Sequence, residues 1–332
     1  MPKTLYLTVP CYKEEEVLSE TAKRLLAKFT DLMAENTISS ASKIVFINDG
    51  SKDKTWEIIC ELHASNPVFV GINLSRNKGH QNALLAGLIW AKDNADAVIS
   101  MDADLQDDIN AVDEMWAKFN EGFDVVYGVR SKRTTDTFFK RFSAEGFYKI
   151  MGAMGVDIVF NHADYRLMSQ RALQTLSEFN EVNLFLRGVV PMIGYPSTTV
   201  MYERAERFAG ETKYPLSKML MLAIEGITSL SIRPIRLITV IGFLSFLISL
   251  IILVYSIVDR LTGGTVEGWA SIIVSIWAIG GLQLLAIGII GEYIGKVYLE
   301  VKARPKYVIQ DIVARDIAKI NIDISDNVSE EK

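Results

Sequence analysis

Two long uncharged segments near the C-terminal end place the strongest limit on how this chain folds. Residues 237–258 and 269–290 contain no charged side chain, and each is about 22 residues long. A helix of that length crosses a hydrocarbon layer of roughly 30 Å. The alternative, a buried core helix, does not suit two such long uncharged runs. The sequence therefore predicts two membrane-spanning helices, in agreement with the mean hydropathy of +0.20.

Basic residues are distributed unequally around these two segments. Arg233 and Arg236 precede the first, and basic residues follow the second at positions 296, 302, 304 and 306. The connecting residues 259–268 contain a single arginine and two acidic side chains. Because basic residues stay on the cytoplasmic side, we expect a hairpin with both termini in the cytoplasm. The N-terminus does not have the pattern of a signal peptide, which agrees with this orientation.

The predicted organisation has four parts. Residues 1–213 form a cytoplasmic domain, 214–234 an amphipathic juxtamembrane helix, 235–295 the transmembrane hairpin and 296–332 a cytoplasmic tail. The apolar side chains of residues 214–230 share one helical face, as in helices that lie in a membrane interface. An ordinary domain helix is the alternative interpretation of that face.

Strand-like and helical runs alternate in the first part of the chain. Apolar runs begin at residues 5, 44, 68, 97 and 125, with helical segments between them. This alternation is typical of an α/β domain with a parallel sheet, which binds ligands at the carboxyl ends of its strands. Three polar segments follow such ends: Pro10-Cys11-Tyr12, Asn48-Asp49-Gly50 and Asp102-Ala103-Asp104. We therefore expect them to meet in one crevice.

Asp102 and Asp104 are the clearest chemical signal in this domain. They lie one residue apart, directly after the apolar run 97–101. Proteins usually hold Mg²⁺ with one or two carboxylates and the phosphates of a substrate. A solvated acidic loop is the alternative. A calcium loop is excluded, because it would need glycine at position 107 and glutamate at 113, where this chain has aspartates.

Other features exclude some functions. The net charge of −5 argues against a nucleic-acid partner. Cys11 and Cys60 are interpreted as reduced structural thiols. His80 and His162 have no metal-ligand partner at a suitable spacing and are interpreted as structural.

Four segments together closely resemble the family 2 glycosyltransferases of the GT-A fold. They are residues 9–15, 48–55, 75–83 and 102–107. One departure is Lys13, where the family usually has asparagine. The resemblance implies a Rossmann-like, nucleotide-sugar-binding domain.

Later segments resemble one subgroup more closely. Residues 161–168, residues 204–215 and the hairpin are similar to the polyisoprenyl-phosphate glycosyltransferases, which include the bactoprenol glucosyltransferases and resemble dolichol-phosphate mannose synthase. This likeness implies inverting transfer of one sugar from a nucleotide diphosphate donor to polyprenyl (undecaprenyl) phosphate at the cytoplasmic face of the plasma membrane. UDP-glucose and UDP-N-acetylglucosamine are the leading donors. The likeness also implies Mg²⁺ or Mn²⁺ as cofactor and a homo-oligomer, possible as a tetramer.

The same resemblance implies roles for individual residues. Asp102 and Asp104 would bind the metal, Gln106 would lie beside it, and Asp164 would be the catalytic carboxylate. Further donor contacts would come from Pro10, Tyr12, Glu14, Asp49 and Ala103. A phosphate monoester has a second pKa of about 6 and needs little help from a base. Asp164 therefore has an alternative role in orienting Arg166 or the sugar.

Basic residues form two groups that suit phosphate. Arg204, Arg207 and Lys213 precede the juxtamembrane helix and are predicted to bind the acceptor phosphate, since guanidinium pairs bidentately with phosphate. The other group would hold the donor diphosphate or anionic lipid headgroups, and comprises Arg130, Lys132, Arg133, Lys140 and Arg141.

The sequence also bears on three other functions. A GDP-mannose-dependent polyprenyl-phosphate mannosyltransferase and a non-catalytic nucleotide-sugar-binding membrane protein stay open as alternatives. A processive polysaccharide synthase is disfavoured, because the chain has no Gln-x-x-Arg-Trp motif and two spans cannot enclose a polymer channel.

Overall fold

The computed structural model describes residues 2–130, 152, 162–203, 227–229, 231–262 and 268–314. In the first part, strands alternate with helices in the order β1 Leu5–Cys11, α1 Leu18–Ala34, β2 Lys43–Asn48, α2 Thr55–Ser65, β3 Phe69–Leu74, α3 His80–Ala91, β4 Ala97–Ser100, α4 Ala111–Asn120 and β5 Val125–Arg130. These elements confirm the predicted alternation, with ends that differ from the predicted ones by a few residues.

The rest of the described chain completes the sheet and adds two long helices. Its elements are β6 His162–Ser169, α5 Gln170–Ser177, α6 Leu186–Met192, β7 Ser197–Tyr202, α7 Arg233–Leu261, α8 Trp269–Lys302 and β8 Ile309–Val313. The predicted juxtamembrane helix falls mostly on residues 214–226, which lie outside the described part. The division into domains at residues 213, 234 and 295 stays a prediction.

The strands form one eight-stranded sheet in the order β7-β5-β6-β4-β1-β2-β3-β8. Its centre is parallel, as predicted, because β1 pairs in parallel with both β2 and β4, and β2 with β3. β6 and β8, which were not among the strands predicted from the sequence, run antiparallel to their neighbours. β6 lies between β4 and β5 and runs antiparallel to both. Asp164, in the first half of β6, therefore lies near the carboxyl end of β4.

Helices cover both faces of the sheet, which explains the apolar strands. α1, α2 and α4 pack on one face, where Phe29 and Phe46 are completely buried. α3, α5 and α6 pack on the other, around Ile47 and Leu84. A strand enclosed on both faces needs apolar side chains on both, and every residue of β1, from Leu5 to Cys11, is buried.

α7 and α8 differ from the other helices because their apolar side chains face outward. Both are long and apolar enough to cross a membrane, with mean hydropathies of 2.5 over Arg233–Ile252 and 1.5 over Ala278–Lys302. Side chains such as Ile251 and Leu284 are exposed, as expected for helices that contact lipid. The protein is therefore membrane-associated. At 1.5 Å per residue, the 34 residues of α8 extend about 51 Å, well beyond a hydrocarbon core.

The end of α8 returns the chain to the α/β domain. Strand β8 pairs with the edge strand β3, and Asn73 Nδ2 donates to Asp311 Oδ2 at 3.2 Å. Lys306 Nζ donates to the carbonyl of Phe179 at 2.8 Å. The chain on the C-terminal side of the hairpin is therefore anchored to the sheet through at least residue 313.

Candidate active site

The predicted carboxylate pair lies where β4 ends. Asp102 is partly open, with 36% of its side chain exposed, whereas Ala103 is buried and its carbonyl accepts a hydrogen bond from Thr21 Oγ1 at 2.8 Å. Leu105 has a left-handed backbone, with φ of +57°, which is rare for a residue with a bulky side chain. This turn lets the backbone N–H of Gln106 donate to Asp104 Oδ1 at 3.2 Å.

His80, at the start of α3, lies against this pair. Its Nε2 is 3.5 Å from Asp102 Oδ1 and 3.6 Å from Asp164 Oδ2. Burial lowers the pKa of His80, but the nearby carboxylates of Asp164 and Asp102 outweigh it, so its pKa is raised. His80, interpreted from the sequence as a structural histidine, therefore lies in the candidate site.

Asp164 is enclosed by two arginines. Arg166 Nη2 donates to its Oδ1 at 2.8 Å, and Arg187 donates through Nε and Nη2 at 3.2 and 3.0 Å. Burial raises the pKa of Asp164, yet Arg187, His80 and Arg166 together hold it well below its ordinary value. The carboxylate predicted as catalytic is therefore firmly ionised and already paired with two guanidinium groups.

Asp49 positions the loop that leads into α3. Its two carboxylate oxygens accept the backbone N–H groups of Lys78 at 2.7 Å and Gly79 at 3.0 Å. Burial raises the pKa of Asp49, and these two hydrogen bonds oppose the rise. Gly50 is required beside it, because a Cβ there would come within 2.5 Å of the Arg76 backbone. Asp49 thus has a structural task at the place where a nucleoside contact was predicted.

The loop after β1 lies alongside the loop after β2. The backbone N–H of Lys13 donates to Ser51 Oγ, and that of Glu14 to Thr55 Oγ1, each at 3.0 Å. Pro10 is buried at the end of β1, while Tyr12 remains 44% exposed. The two predicted strand ends therefore meet, with the Tyr12 ring available at the surface.

A buried chain of polar groups lies behind the carboxylate pair. Tyr202 OH donates to Asp107 Oδ1 at 2.6 Å and accepts from Arg130 Nε at 3.3 Å. Burial and the charge of Asp102 raise the pKa of Asp107 to about 6. Gln106 is also buried here. Sequence reasoning did not find Asp107 or Tyr202, since their contact joins positions 95 residues apart.

The carboxylate pair suits a cation that a substrate helps to bind. Among the described residues, no group of three or more His, Cys, Asp or Glu side chains forms a metal cage. Burial raises the pKa of Asp102, and the like charges of Asp164 and Asp104 add to the rise. A divalent cation at Asp102 and Asp104 would relieve that repulsion, and phosphate oxygens would complete its ligands.

A cavity of about 800 Å³ lies between the α/β domain and α8. Gln81 and Asn82 form part of its wall, directly after His80 in the chain. Gly288, Gly291 and Gly295 line the opposite side, on one face of α8. The wall also includes apolar Leu184, Phe185 and Leu299 and polar Asn183, Glu292 and Lys296. The cavity thus combines polar and apolar walls, and its wall includes the residue that follows His80 in α3.

Several predicted residues cannot be compared with the structure. Arg204, Arg207 and Lys213 lie outside the described residues, as do Lys132, Arg133, Lys140 and Arg141. Of the two basic groups, Arg130 alone is described. The roles predicted for these residues stay predictions.

The sheet and the carboxylate pair define a nucleotide-sugar-dependent transferase of the GT-A type, and comparison with known proteins agrees. Residues 6–177 match the model of glycosyl transferase family 2. The chain is 52% identical to the uncharacterized glycosyltransferase YkoT of Bacillus subtilis (strain 168), over 92% of this chain and 90% of the relative. The chain belongs to glycosyl transferase family 2, and it is a glycosyltransferase.

A second relative has a more specific name. The SfII prophage-derived bactoprenol glucosyl transferase of Shigella flexneri is 42% identical, over 92% of this chain and 96% of the relative. Among solved structures, glucosyl-3-phosphoglycerate synthase from Mycobacterium tuberculosis covers 69% of this chain and 78% of its own, with 16% identity and a TM-score of 0.42. A structural likeness of that degree says nothing about substrates.

Proposed function

We propose that the protein transfers glucose from UDP-glucose to a polyprenyl phosphate, with inversion at the anomeric carbon, at the cytoplasmic face of the membrane. The observation that carries this proposal is the cavity between α8 and the start of α3, because α3 begins with His80, which contacts Asp102, and α8 is long and apolar enough to cross a membrane. The likeness to a bactoprenol glucosyl transferase supports the sugar and the lipid.

The donor half of the reaction uses the strand ends. Asp102 and Asp104 would hold Mg²⁺ or Mn²⁺ on the donor diphosphate, where the ion would neutralise charge on the leaving group. The Tyr12 ring is exposed beside the β2 loop and would contact the nucleoside, together with Pro10 and Glu14. Gln106 and Ala103 support the turn that aims the two carboxylates.

The acceptor half uses the cavity. Its apolar walls and glycine face suit the first isoprenoid units of a lipid, while its amide and ammonium groups suit the polar head. Arg204, Arg207 and Lys213 are proposed to bind the acceptor phosphate at the same membrane surface. The positive-inside charge pattern supports a cytoplasmic orientation for both termini.

The chemical step exchanges one bond at the sugar. A phosphate oxygen of the acceptor attacks the anomeric carbon from the face opposite the diphosphate, and the bond from that carbon to the diphosphate oxygen breaks. The products are UDP and a polyprenyl-phosphate glucose. Near neutral pH the acceptor is mostly a dianion, because its second pKa is about 6. No proton has to leave the nucleophile, so the protein's main task is to hold two anions together.

The proposal is tested with the purified full chain in detergent. Undecaprenyl phosphate is incubated with radiolabelled UDP-glucose, UDP-N-acetylglucosamine, UDP-galactose or GDP-mannose, with Mg²⁺, Mn²⁺ or EDTA. We expect label in the lipid phase from UDP-glucose only when metal is present. Transfer of label from GDP-mannose alone would contradict glucose as the sugar and identify mannose instead. Donor binding without transfer under every condition would contradict the enzymatic proposal. Light scattering on the same sample tests the predicted homo-oligomer.

A further inference from the structure

The hydrogen bonds around Asp164 leave little room for action as a base. A carboxylate has about four lone-pair sites on its two oxygens. Three are used by N–H donors of Arg166 and Arg187, and His80 Nε2 approaches the remaining side at 3.6 Å. A proton taken from a substrate would neutralise the carboxylate of Asp164 in a site that is only 8% exposed. Such a change is costly, because it leaves a buried guanidinium uncompensated.

The two arginines differ in what they can reach. Arg166 is 1% exposed and donates to the carbonyl of Leu186 at 3.4 Å, so it is enclosed by the domain. Arg187 keeps 35% of its side chain exposed. It is the second residue of α6, and the residue before it donates its backbone N–H to Gln81 Oε1 at 2.8 Å. The contacts of α6 therefore place Arg187 beside α3, the helix that begins with His80.

The position of Arg187 also matches that of the metal carboxylates. Its partner Asp164 contacts His80, and His80 contacts Asp102. Its charge lowers the pKa of Asp102 against the effect of burial. Arg187, Asp164, His80 and Asp102 thus form a continuous series of contacts. A substrate phosphate on a cation at Asp102 would therefore lie near the Arg187 guanidinium.

We infer that Asp164 is a positioning residue and that the arginine it holds, Arg187, contacts a phosphate oxygen of the reacting substrates. The inference rests on the proposed function. The phosphate belongs either to the donor diphosphate or to the lipid phosphomonoester, and both have the same chemistry towards a guanidinium. Arg187 forms no covalent bond and transfers no proton. It offsets negative charge where two anions approach each other.

A binding experiment tests this inference without the lipid. The wild-type chain and the variants Arg187→Gln, Arg187→Lys, Asp164→Asn and Asp164→Asn/Arg187→Gln are titrated by calorimetry with whichever of UDP and GDP the wild type binds, in the presence of Mn²⁺. Arg171→Gln is the matched control, because Arg171 pairs with Asp124 in an ion pair remote from the carboxylate site. Transfer kinetics with polyprenyl phosphate form the second arm.

If the phosphate is the donor's, Arg187→Gln raises the nucleotide Kd about tenfold or more, as expected for a lost hydrogen bond to a charged group. If it is the lipid's, Kd is unchanged and KM for polyprenyl phosphate rises by a similar factor. In both cases Asp164→Asn changes the same constant, Kd or KM, as Arg187→Gln does. The double variant changes that constant no more than Arg187→Gln alone. Arg187→Lys loses less affinity than Arg187→Gln but does not reach the wild-type value.

Two results would overturn the inference. One is an Arg187→Gln variant with wild-type Kd and KM. The other is an Asp164→Asn variant that loses kcat while both affinities stay intact and Arg187→Gln remains active, since that is the pattern of a lost base. Melting curves identify a variant that fails to fold, and Asp164→Glu then replaces Asp164→Asn. A wild type that binds nucleotide but transfers no sugar contradicts the proposed function and leaves the binding comparison decisive for Arg187.

Discussion

Glu300, in the last turn of α8, is bound by Asn183 of the α/β domain. Its Oε1 accepts the backbone N–H of Asn183 at 2.8 Å and the side-chain amide at 2.7 Å, while Oε2 accepts the backbone N–H of Val182 at 2.8 Å. Arg187 follows only a few residues later. α8 and the candidate active site are therefore connected through a short segment of the chain, residues 182–187.

Filling the cavity should block the lipid selectively. We expect Gly291→Leu to raise KM for polyprenyl phosphate several-fold and to leave the Kd for nucleotide unchanged, because the new side chain would occupy the space between α8 and α3. Gly280→Leu is the control on the same helix. A Cβ at either glycine meets no atom within 4 Å, but Gly280 does not line the cavity. Equal kinetic effects of the two variants would contradict the lipid assignment.

Removing one charge from the carboxylate pair should abolish metal-dependent transfer. Asp104→Asn is expected to lower kcat/KM about 100-fold or more, because the cation supplies several kcal/mol of charge stabilisation. Asp108→Asn is the matched control, since the carboxylate of Asp108 accepts a local backbone hydrogen bond from Asn110. Transfer assays over a Mn²⁺ series measure both. Asp104→Asn activity at the wild-type level would refute the metal site.

Asp107 should make stability depend on pH. Its pKa of about 6 in the folded chain lies above the ordinary value near 3.9, so the folded state prefers the protonated form. Stability from this group is therefore present below about pH 4 and is lost as pH rises through about 6. Asp107→Asn removes this loss, which is about 3 kcal/mol.

Melting curves of metal-free protein between pH 4 and pH 7 measure this difference. The variant should match the wild type at the acid end and become more stable than the wild type as pH increases. A constant difference at every pH would show that Asp107 does not titrate in this range.

Lys13 should be a site of backbone strain. Its φ of +58° lies in the left-handed region, where asparagine is tolerated far better than lysine. Lys13→Asn is expected to stabilise the fold by up to about 1 kcal/mol. Lys13→Ala, which has the same backbone preference as lysine, should not. Thermal melting compares the three, and equal stabilities of the asparagine and alanine variants would contradict the strain.

The alternation of strands and helices from β1 to β5 could be predicted from the sequence. Buried strands such as β1 and β2 are short apolar runs, and their polar ends mark the edge where ligands bind. The pair Asp102 and Asp104 could be found for the same reason, since both ligands come from one local segment. The left-handed φ of Lys13 also gives a physical reason for the asparagine that the family usually has there.

Long-range contacts could not be predicted in the same way. β6 and β8 join the sheet antiparallel after intervening segments, and no local pattern specifies their partners. His80 and Arg187 have no distinguishing neighbours in the sequence, although the fold brings both to Asp164. The pairing of Asp164 with Arg166 was one of the alternatives proposed from the sequence, whereas the contact with Arg187 became evident only from the geometry.

The identity of the lipid product tests the central claim most directly. The purified chain is incubated with UDP-glucose, Mn²⁺ and polyprenyl phosphate, and the lipid is followed by ³¹P NMR and mass spectrometry. We expect the phosphomonoester signal to convert to a phosphodiester of one added hexose, with one UDP released per lipid converted. UDP release accompanied by free glucose and an unchanged phosphomonoester would contradict transfer to the lipid.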